Sequence, residues 1–256
     1  MTLTLPEKVM QRLIHAQRVV VLTGGGIASE SGFLSFSEAQ QGKWAVYDVS
    51  ELATPQAFVR NPRLVWEWYD HRRRLSDQLK PSASHMALVQ LEAYYPEFTL
   101  ITQTIDSLHM RSGIHNLIEI NGTLRRSRCF ESGDIFEQWE DDGAVPPRCT
   151  HCGSPLRPDV VMFGEGLPQK DLRRAQRAIE QCDLLLCVGA IGAIEPIASF
   201  PFVARRVGAI VVSIAPEDSI YTLMADHVVA TVPADVLPEI VAMITGTTNG
   251  LRADTV

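Results

Sequence analysis

Residues 18–32, RVVVLTGGGIASESG, are the stretch whose reading decides the fold. A Val-rich apolar run ends in three glycines, Gly24, Gly25 and Gly26. A segment able to open a helix follows, with Ser29 and Glu30 near its start. Short apolar runs bounded by turn residues read as buried strands, so the pattern predicts strand, tight turn, helix. Glycine lets a ligand approach the main chain closely, and N–H groups at a helix start favour a phosphate. The turn therefore reads either as a diphosphate cradle or as a plain strand-to-helix connection. The dinucleotide fingerprint GxGxxG is not met, because Ser29 stands at its third glycine.

The same alternation continues outward. Apolar strands are expected at 99–102, 117–120, 159–165, 183–188, 209–214 and 227–232, separated by helical patterns at 62–79, 84–95, 169–181 and 237–244. Strands alternating with helices imply an α/β fold, a parallel sheet covered on both faces. Residues 33–47 show no period and read as a long loop, the kind of segment that often carries function. The chain has 256 residues and is 46% hydrophobic, enough for one large domain with a smaller insert. A net charge of -7 disfavours bulk nucleic-acid binding. No leader pattern and no membrane-length apolar run is read, so a cytoplasmic protein without membrane contact is expected. Five cysteines do not suggest a disulfide scaffold, and Cys182 and Cys187, in apolar runs, read as inert core residues.

Three clusters bear chemistry. The helix at 62–79 carries Val65, Trp68, Tyr69, Arg72, Leu75 and Leu79 along one stripe, with Arg72 the charged member. Beside Tyr69, it either grips a carboxylate in two-pronged fashion or serves a structural acid. The polar segment 102–113, TQTIDSLHMRSG, follows a strand, where open α/β sheets bind ligands; Asp106 is its candidate contact and His109 reads as a satisfied core histidine. Over residues 125–158 apolar periodicity stops, and Cys129, Cys149 and Cys152 appear. CTHCG at 149–153 is half of a zinc knuckle. The other half has Ser132 where a second cysteine would stand, so this insert reads either as metal-free or as a zinc site completed by Asp134 or water.

Taken together, these motifs resemble the sirtuin family of NAD-dependent protein-lysine deacylases. GGGIASESG resembles the family's glycine opening. TQTIDSLHMRSG resembles its TQNIDxLHxxAG, EINGT its ELHGT, and CTHCGSPLRPDVVMFGEGLP its zinc half-site and RPxVVxFGExLP. The resemblance implies a Rossmann-like parallel-sheet domain (1–32, 97–124, 159–256) and a smaller zinc-ribbon-like and helical domain (33–96 and 125–158). It implies NAD contacts at Gly24, Gly25, Gly26, Glu30, Gln103, Thr104, Asp106, Gly189, Ala190 and Ala215. An acyl-lysine channel falls at Val161, Phe163, Gly164 and Glu165, and a zinc site at Cys129, Cys149 and Cys152, with Ser132 fourth. ELATPQAF and VWEWYDHRR further resemble the desuccinylase and demalonylase branch, where Tyr69 and Arg72 fall on residues that recognise an acyl carboxylate.

The departures are equally specific. Asn121 stands where the family has its general-base histidine, and Thr104 where it has a ribose-contacting asparagine. Ser37 replaces a loop arginine and Leu34 a proline. Gly189, Ala190 and Ile191 replace polar nucleotide contacts, and Ala215 replaces an adenosine-side asparagine. An amide cannot take a proton, and loss of a general base costs on the order of 10²–10⁴-fold. The leading expectation is therefore a family member with a degenerate NAD site, impaired in catalysis and acting by binding an acyl-lysine or a partner protein. Two others stand beside it. One is an active deacylase or ADP-ribosyl-transfer enzyme relying on Gln103 and Asp106; the other is a repurposed cleft, apolar at Ala190, Ile191 and Ala215, holding a small carboxylate.

Overall fold

The computed structural model describes residues 3–139, 143–190 and 194–253. Helix α1 (Glu7–His15) leads into β1 (Arg18–Thr23) and the short helix α2 (Gly25–Glu30). Four helices follow, α3 (Phe36–Ala39), α4 (Val49–Leu52), α5 (Pro55–Arg60) and α6 (Pro62–Gln78). Then come α7 (Ala83–Tyr94), β2 (Glu97–Thr102), α8 (Leu108–Ser112), β3 (Leu117–Glu119) and β4 (Gly122–Cys129). The second half holds β5 (Ile135–Phe136), β6 (Leu156–Val160), α9 (Gln169–Gln181), β7 (Leu184–Val188), α10 (Phe200–Arg206), β8 (Ile210–Ile214), α11 (Ile220–Met224), β9 (His227–Val229) and α12 (Pro233–Ala253).

Six strands form one sheet in the order β3-β2-β1-β7-β8-β9, every pair parallel. The order reverses at β1, so the β1–α2 turn opens at the sheet's switch point, where α/β folds bind ligands. Val21, Leu22, Leu100, Ile101, Leu184 and Leu186 are sealed from solvent. Burying each such side chain stabilises the fold by roughly 1.5–3 kcal/mol. One face of the sheet packs on α1, α7 and α12, the other on α9, α10 and α11.

A second, three-stranded antiparallel sheet has the order β5-β4-β6. This corrects one expectation: the apolar run beginning at 159 is not a further parallel strand. Residues 156–160 pair antiparallel with β4, because the chain turns back between the end of β4 and residue 156. Gly122 has φ +75, and a Cβ there would sit 2.1 Å from the Asp159 carbonyl oxygen, so the close crossing admits only glycine. The strand is buried along its whole length, a pattern that does not distinguish parallel from antiparallel pairing. The segment 33–47 is also more ordered than a loop. Ser35 and Glu38 form a capping box that starts α3, and a 3₁₀ turn runs over Gly42–Trp44. The closing helix, expected at 237–244, extends over Pro233–Ala253.

The helices α4, α5 and α6 and the β4–β6 sheet share a core around Trp44, Phe58 and Trp68. Outside it, Trp66, Cys129, Cys149 and Leu156 cluster with Phe136 and Trp139, and the Arg73 guanidinium lies 5.3 and 4.7 Å from the Trp66 and Trp139 rings. This contact ties the helical part of the small module to its strand part. Among the described residues no helix is long and apolar enough to cross a membrane.

Candidate active site

A cavity of about 220 Å³ opens between the two sheets, lined among others by Gly25, Tyr69, Arg72, Gln103, Asn121 and Phe163. Its floor is the segment after β2. The Asp106 carboxyl accepts the Leu108 N–H on Oδ1 at 2.8 Å, while Oδ2 is buried with no hydrogen-bond partner. Burial raises its pKa, partly offset by the Leu108 N–H. The turn is held by backbone strain. Ser107 sits at φ 67, unusual for a non-glycine residue, with its hydroxyl on Thr123 Oγ1 at 2.8 Å. Ser76 of α6 donates to the Asp106 carbonyl at 2.5 Å. A buried acceptor without a donor, in a strained turn beside a cavity, is a place prepared for a ligand.

Asn121 is fixed by its own backbone and its amide. Its Nδ2 donates to the Gln103 carbonyl at 2.8 Å, and its carbonyl accepts the Val161 N–H at 2.8 Å. The amide thus uses a donor on the protein and keeps Oδ1, an acceptor with no useful basicity, for the cavity it lines. Gln103 is held through Nε2, which donates to Tyr221 Oη at 2.9 Å. Thr104 is buried with its hydroxyl on Thr102 Oγ1 at 2.9 Å, a local bond that draws it into the floor.

The wall opposite is α6 and the segment after α2. Arg72 is 5% exposed and stacks 4.5 Å from the Phe33 ring and 5.5 Å from that of Trp68. Its fork donates to the Leu34 and Ser35 carbonyls at 2.7 and 3.3 Å, and its Nε has no partner. Both acceptors are neutral, and among the described residues no carboxylate lies within ion-pair distance. Burial lowers its pKa to about 10, opposed by Tyr69 and Asp106. Tyr69 is buried beside it, with a phenol raised to about 12 by burial and no hydrogen bond of its own among the described residues.

The remaining candidates divide. At the glycine turn, a Cβ on Gly24 would lie 2.8 Å from the Ala190 Cα, and one on Gly26 2.8 Å from the Gly189 Cα. Gly26 N–H donates to the Gly189 carbonyl at 2.9 Å. These two glycines serve close packing of the turn on the strand end. Gly25, where a Cβ would meet nothing within 4 Å, is the one that faces the cavity. Glu30 is turned away: its carboxylate accepts from Ser82 Oγ at 2.8 Å and from the Ala234 N–H at 2.9 Å. Ala190 and Ala215 are buried, at 1% and 2% exposure. Ile191 lies outside the described residues.

Phe163 is half-exposed at the cavity mouth, edge-on to Phe36 at 6.0 Å, and Gly164 turns the chain at φ +89. Glu165 points inward. Arg157 grips it at 2.6 and 2.9 Å; burial pushes the carboxyl up, but Arg157 and the Met162 N–H hold it below its usual range. It therefore braces the channel wall. Sequence reading missed Tyr221, Ser76 and Ser107, whose partners are 16 to 118 residues away. It also missed His85, whose ring lies 4.6 Å from that of His109.

Two bound groups are implied by the motifs, and the residues can be tested against each. For NAD, the unpartnered Asp106 Oδ2 and the open backbone at Gly25 fit a ligand at the cavity end. For zinc, Cys129, Cys149 and Cys152 place their Sγ atoms within 4.8 Å of one another, with Cys129 and Cys152 at 3.4 Å. Zinc–sulfur bonds near 2.3 Å need sulfurs about 3.8 Å apart, so three ligands fit. Ser132 does not supply the fourth; its hydroxyl donates to Asp134 Oδ2 at 2.8 Å.

Residues 24–196 match the profile of the Sir2 family. An NAD-dependent protein deacylase of Aquifex aeolicus (strain VF5) is 43% identical over 209 residues, 81% of this chain and 87% of that protein. NAD-dependent protein deacylase 2 of Pyrobaculum aerophilum is 41% identical over 229 residues, 90% of this chain and 92% of its own length. Among solved structures, a Sir2 homologue in complex with NAD superposes with a TM-score of 0.87 at 34% identity, covering 96% of each chain.

Proposed function

The chain belongs to the Sir2 family, and from that premise we propose that it binds acyl-lysine carrying an acidic acyl group and removes that group slowly. The observation that carries this reading is Arg72, a guanidinium 5% exposed at the cavity wall whose fork meets only neutral carbonyls. A buried cation with no carboxylate in contact is costly. The carboxylate of a succinyl or malonyl group would supply that contact and take the free Tyr69 hydroxyl as a donor.

The chain's own residues then divide the work. Arg72 and Tyr69 hold the acyl terminus, Phe163 flanks the entry, and the apolar walls Val161 and Phe33 exclude water. Gly25, Gln103, Thr104 and Asp106 would hold the near end of NAD, with Asp106 Oδ2 accepting from an amide donor. NAD, when bound, supplies an electrophilic ribose carbon with nicotinamide as leaving group. Asn121 Oδ1 can orient a hydroxyl by accepting its hydrogen bond, but it cannot remove the proton, and this sets the low rate.

A second reading, full deacylase turnover, has Asp106 in its favour, since its unpartnered oxygen suits a working cofactor contact. The test is calorimetric titration of the protein with matched succinyl-lysine and acetyl-lysine peptides, on the unchanged chain and on Arg72→Leu. Succinyl binding at least ~10-fold tighter than acetyl, lost in Arg72→Leu, is the expected result, because charge-assisted hydrogen bonds contribute about 1.5–3 kcal/mol. Equal affinity for both peptides would end the acidic-acyl reading. Rapid multiple-turnover nicotinamide release from the unchanged protein would replace slow removal by the second reading.

A further inference from the structure

The outer face of α9 carries an unbalanced charge. Lys170, Arg173, Arg174 and Arg177 are all exposed. They fall at i, i+3, i+4 and i+7, which lines them up on one side of the helix. The opposite side, with Leu172, Ala175, Ala178 and Ile179, packs into the core against the sheet. Charges on a helix surface are ordinarily a solvated face of mixed sign, but this stripe has one sign. Of its four cations only Arg174 has an ion pair among the described residues, with Asp171 at 3.5 Å. Like charges three and four residues apart destabilise a helix. Cations in the first turns also oppose the positive end of the helix dipole, and Pro168 at the N-cap gives that end no side-chain hydrogen bond. The stripe is a concentration of positive charge, kept against the interest of the helix, on a chain of net charge -7.

Its place in the fold says what meets it. β7 runs parallel to β1, and α9 leads into the start of β7. The helix therefore runs back across the sheet, and its first residues lie at the edge where the β1–α2 turn opens. Phe163 lines the cavity and stands 51% exposed at its mouth. The seven residues from Phe163 to Lys170 reach at most about 25 Å. From Lys170 to Arg177 the stripe runs about 10 Å along the helix, the length of about three extended residues. We propose that the outer face of α9 is a docking surface for an acidic segment of the substrate polypeptide, on one side of the acylated lysine and within about eight residues of it. This rests on the acyl-lysine reading of the cavity and adds a sequence preference that the cavity does not supply. A long nucleic-acid polyanion fits less well, because four cations on one helix offer few phosphate contacts and the net charge of the whole chain repels it.

The test is fluorescence anisotropy of labelled peptides with the full chain. The peptides cross two features: a succinyl-lysine or an unmodified lysine, and a flank of aspartates and glutamates or of serines and glycines. The acidic flank should tighten binding of the succinyl peptide ~3–10-fold at about 0.05 M salt. That gain should vanish at about 0.5 M salt, where exposed charges are screened. The triple variant Lys170→Gln, Arg173→Gln, Arg177→Gln should lose the flank effect and bind the neutral-flank peptide as the unchanged chain does. Its melting temperature should hold or rise, because the like-charge pairs are gone, which separates lost docking from a damaged fold. A flank effect that is absent, insensitive to salt or intact in the triple variant overturns the docking surface. So does a DNA duplex that displaces the acidic peptide and depends on the same three cations. The acyl-lysine reading fails separately, as equal binding of succinyl and unmodified peptides with the flank effect still present. No binding of any peptide overturns both.

Discussion

The two ends of the cleft at the sheet's switch point have been treated differently. At the acyl end, buried polar atoms are left without partners: Asp106 Oδ2 and Arg72 Nε. A cavity of about 220 Å³ is lined by Arg72 and by Thr104 and Ile105, the two residues before Asp106. At the far end, Ala190 and Ala215 are buried and have no polar side-chain atom, and Gly24 and Gly26 pack directly on Ala190 and Gly189. Unsatisfied groups in a low-dielectric site cost free energy and persist where a ligand completes them. A region closed by packing carries no such cost. One end thus shows buried polar side-chain atoms without partners, while Ala190 and Ala215 at the other show none.

The comparison can be broken most forcefully at Asn121. Restoring a base with Asn121→His should raise nicotinamide release by on the order of 10²–10⁴-fold. No gain in a stopped assay with succinyl peptide and NAD would count against Asn121 as the position that limits the rate. A second effect tests the support beneath the acyl end. His85 and His109 are buried against each other, with His109 Nε2 on the Thr23 hydroxyl at 2.9 Å. Burial lowers the His85 pKa from 6.5 to about 4, and burial together with His85 lowers that of His109. The unfolded chain therefore binds more protons between these values. The neutral pair's stability is whole above about pH 6.5 and drains away as pH falls toward 4. For His85 the full loss is about 3 kcal/mol. Urea unfolding at pH 7.5 and 4.5 should show it, and His85→Gln should flatten the dependence; an unchanged slope in that variant would contradict the assignment.

At the far end, Ala215→Asn adds bulk and an amide to a closed site. It should lower stability by ~1–3 kcal/mol, read as a drop in melting temperature, without restoring NAD affinity. A stable variant with tighter NAD binding would show the far end to be open after all. The smallest effect is expected from Tyr69→Phe, which removes one hydrogen bond from an uncharged donor to the acyl carboxylate while Arg72 stays in place. Succinyl-peptide affinity should fall about 2- to 10-fold, with acetyl-peptide affinity unchanged.

Much of this was legible before the structure. The glycine turn, the parallel sheet, the Arg72 stripe and the cysteine triad follow from period, spacing and the motif resemblance. What was not legible depends on pairs far apart in sequence. Glu30 reads as part of the cradle, but its partners are Ser82 and Ala234. Glu165 reads as a channel residue, yet Arg157 takes both its oxygens. The run at 159 has strand composition, but only its antiparallel pairing with β4 gives its direction.

The bond from Ala234 to Glu30 spans 204 positions of the chain. Synthesis at about 5–20 residues per second separates the two by roughly 10–40 s. The turn that announces the fold therefore leaves the ribosome with one carboxylate oxygen still waiting, and it is finished only when the start of α12 arrives. A chain cut short before Pro233 carries its damage at the other terminus, in the first turn it made.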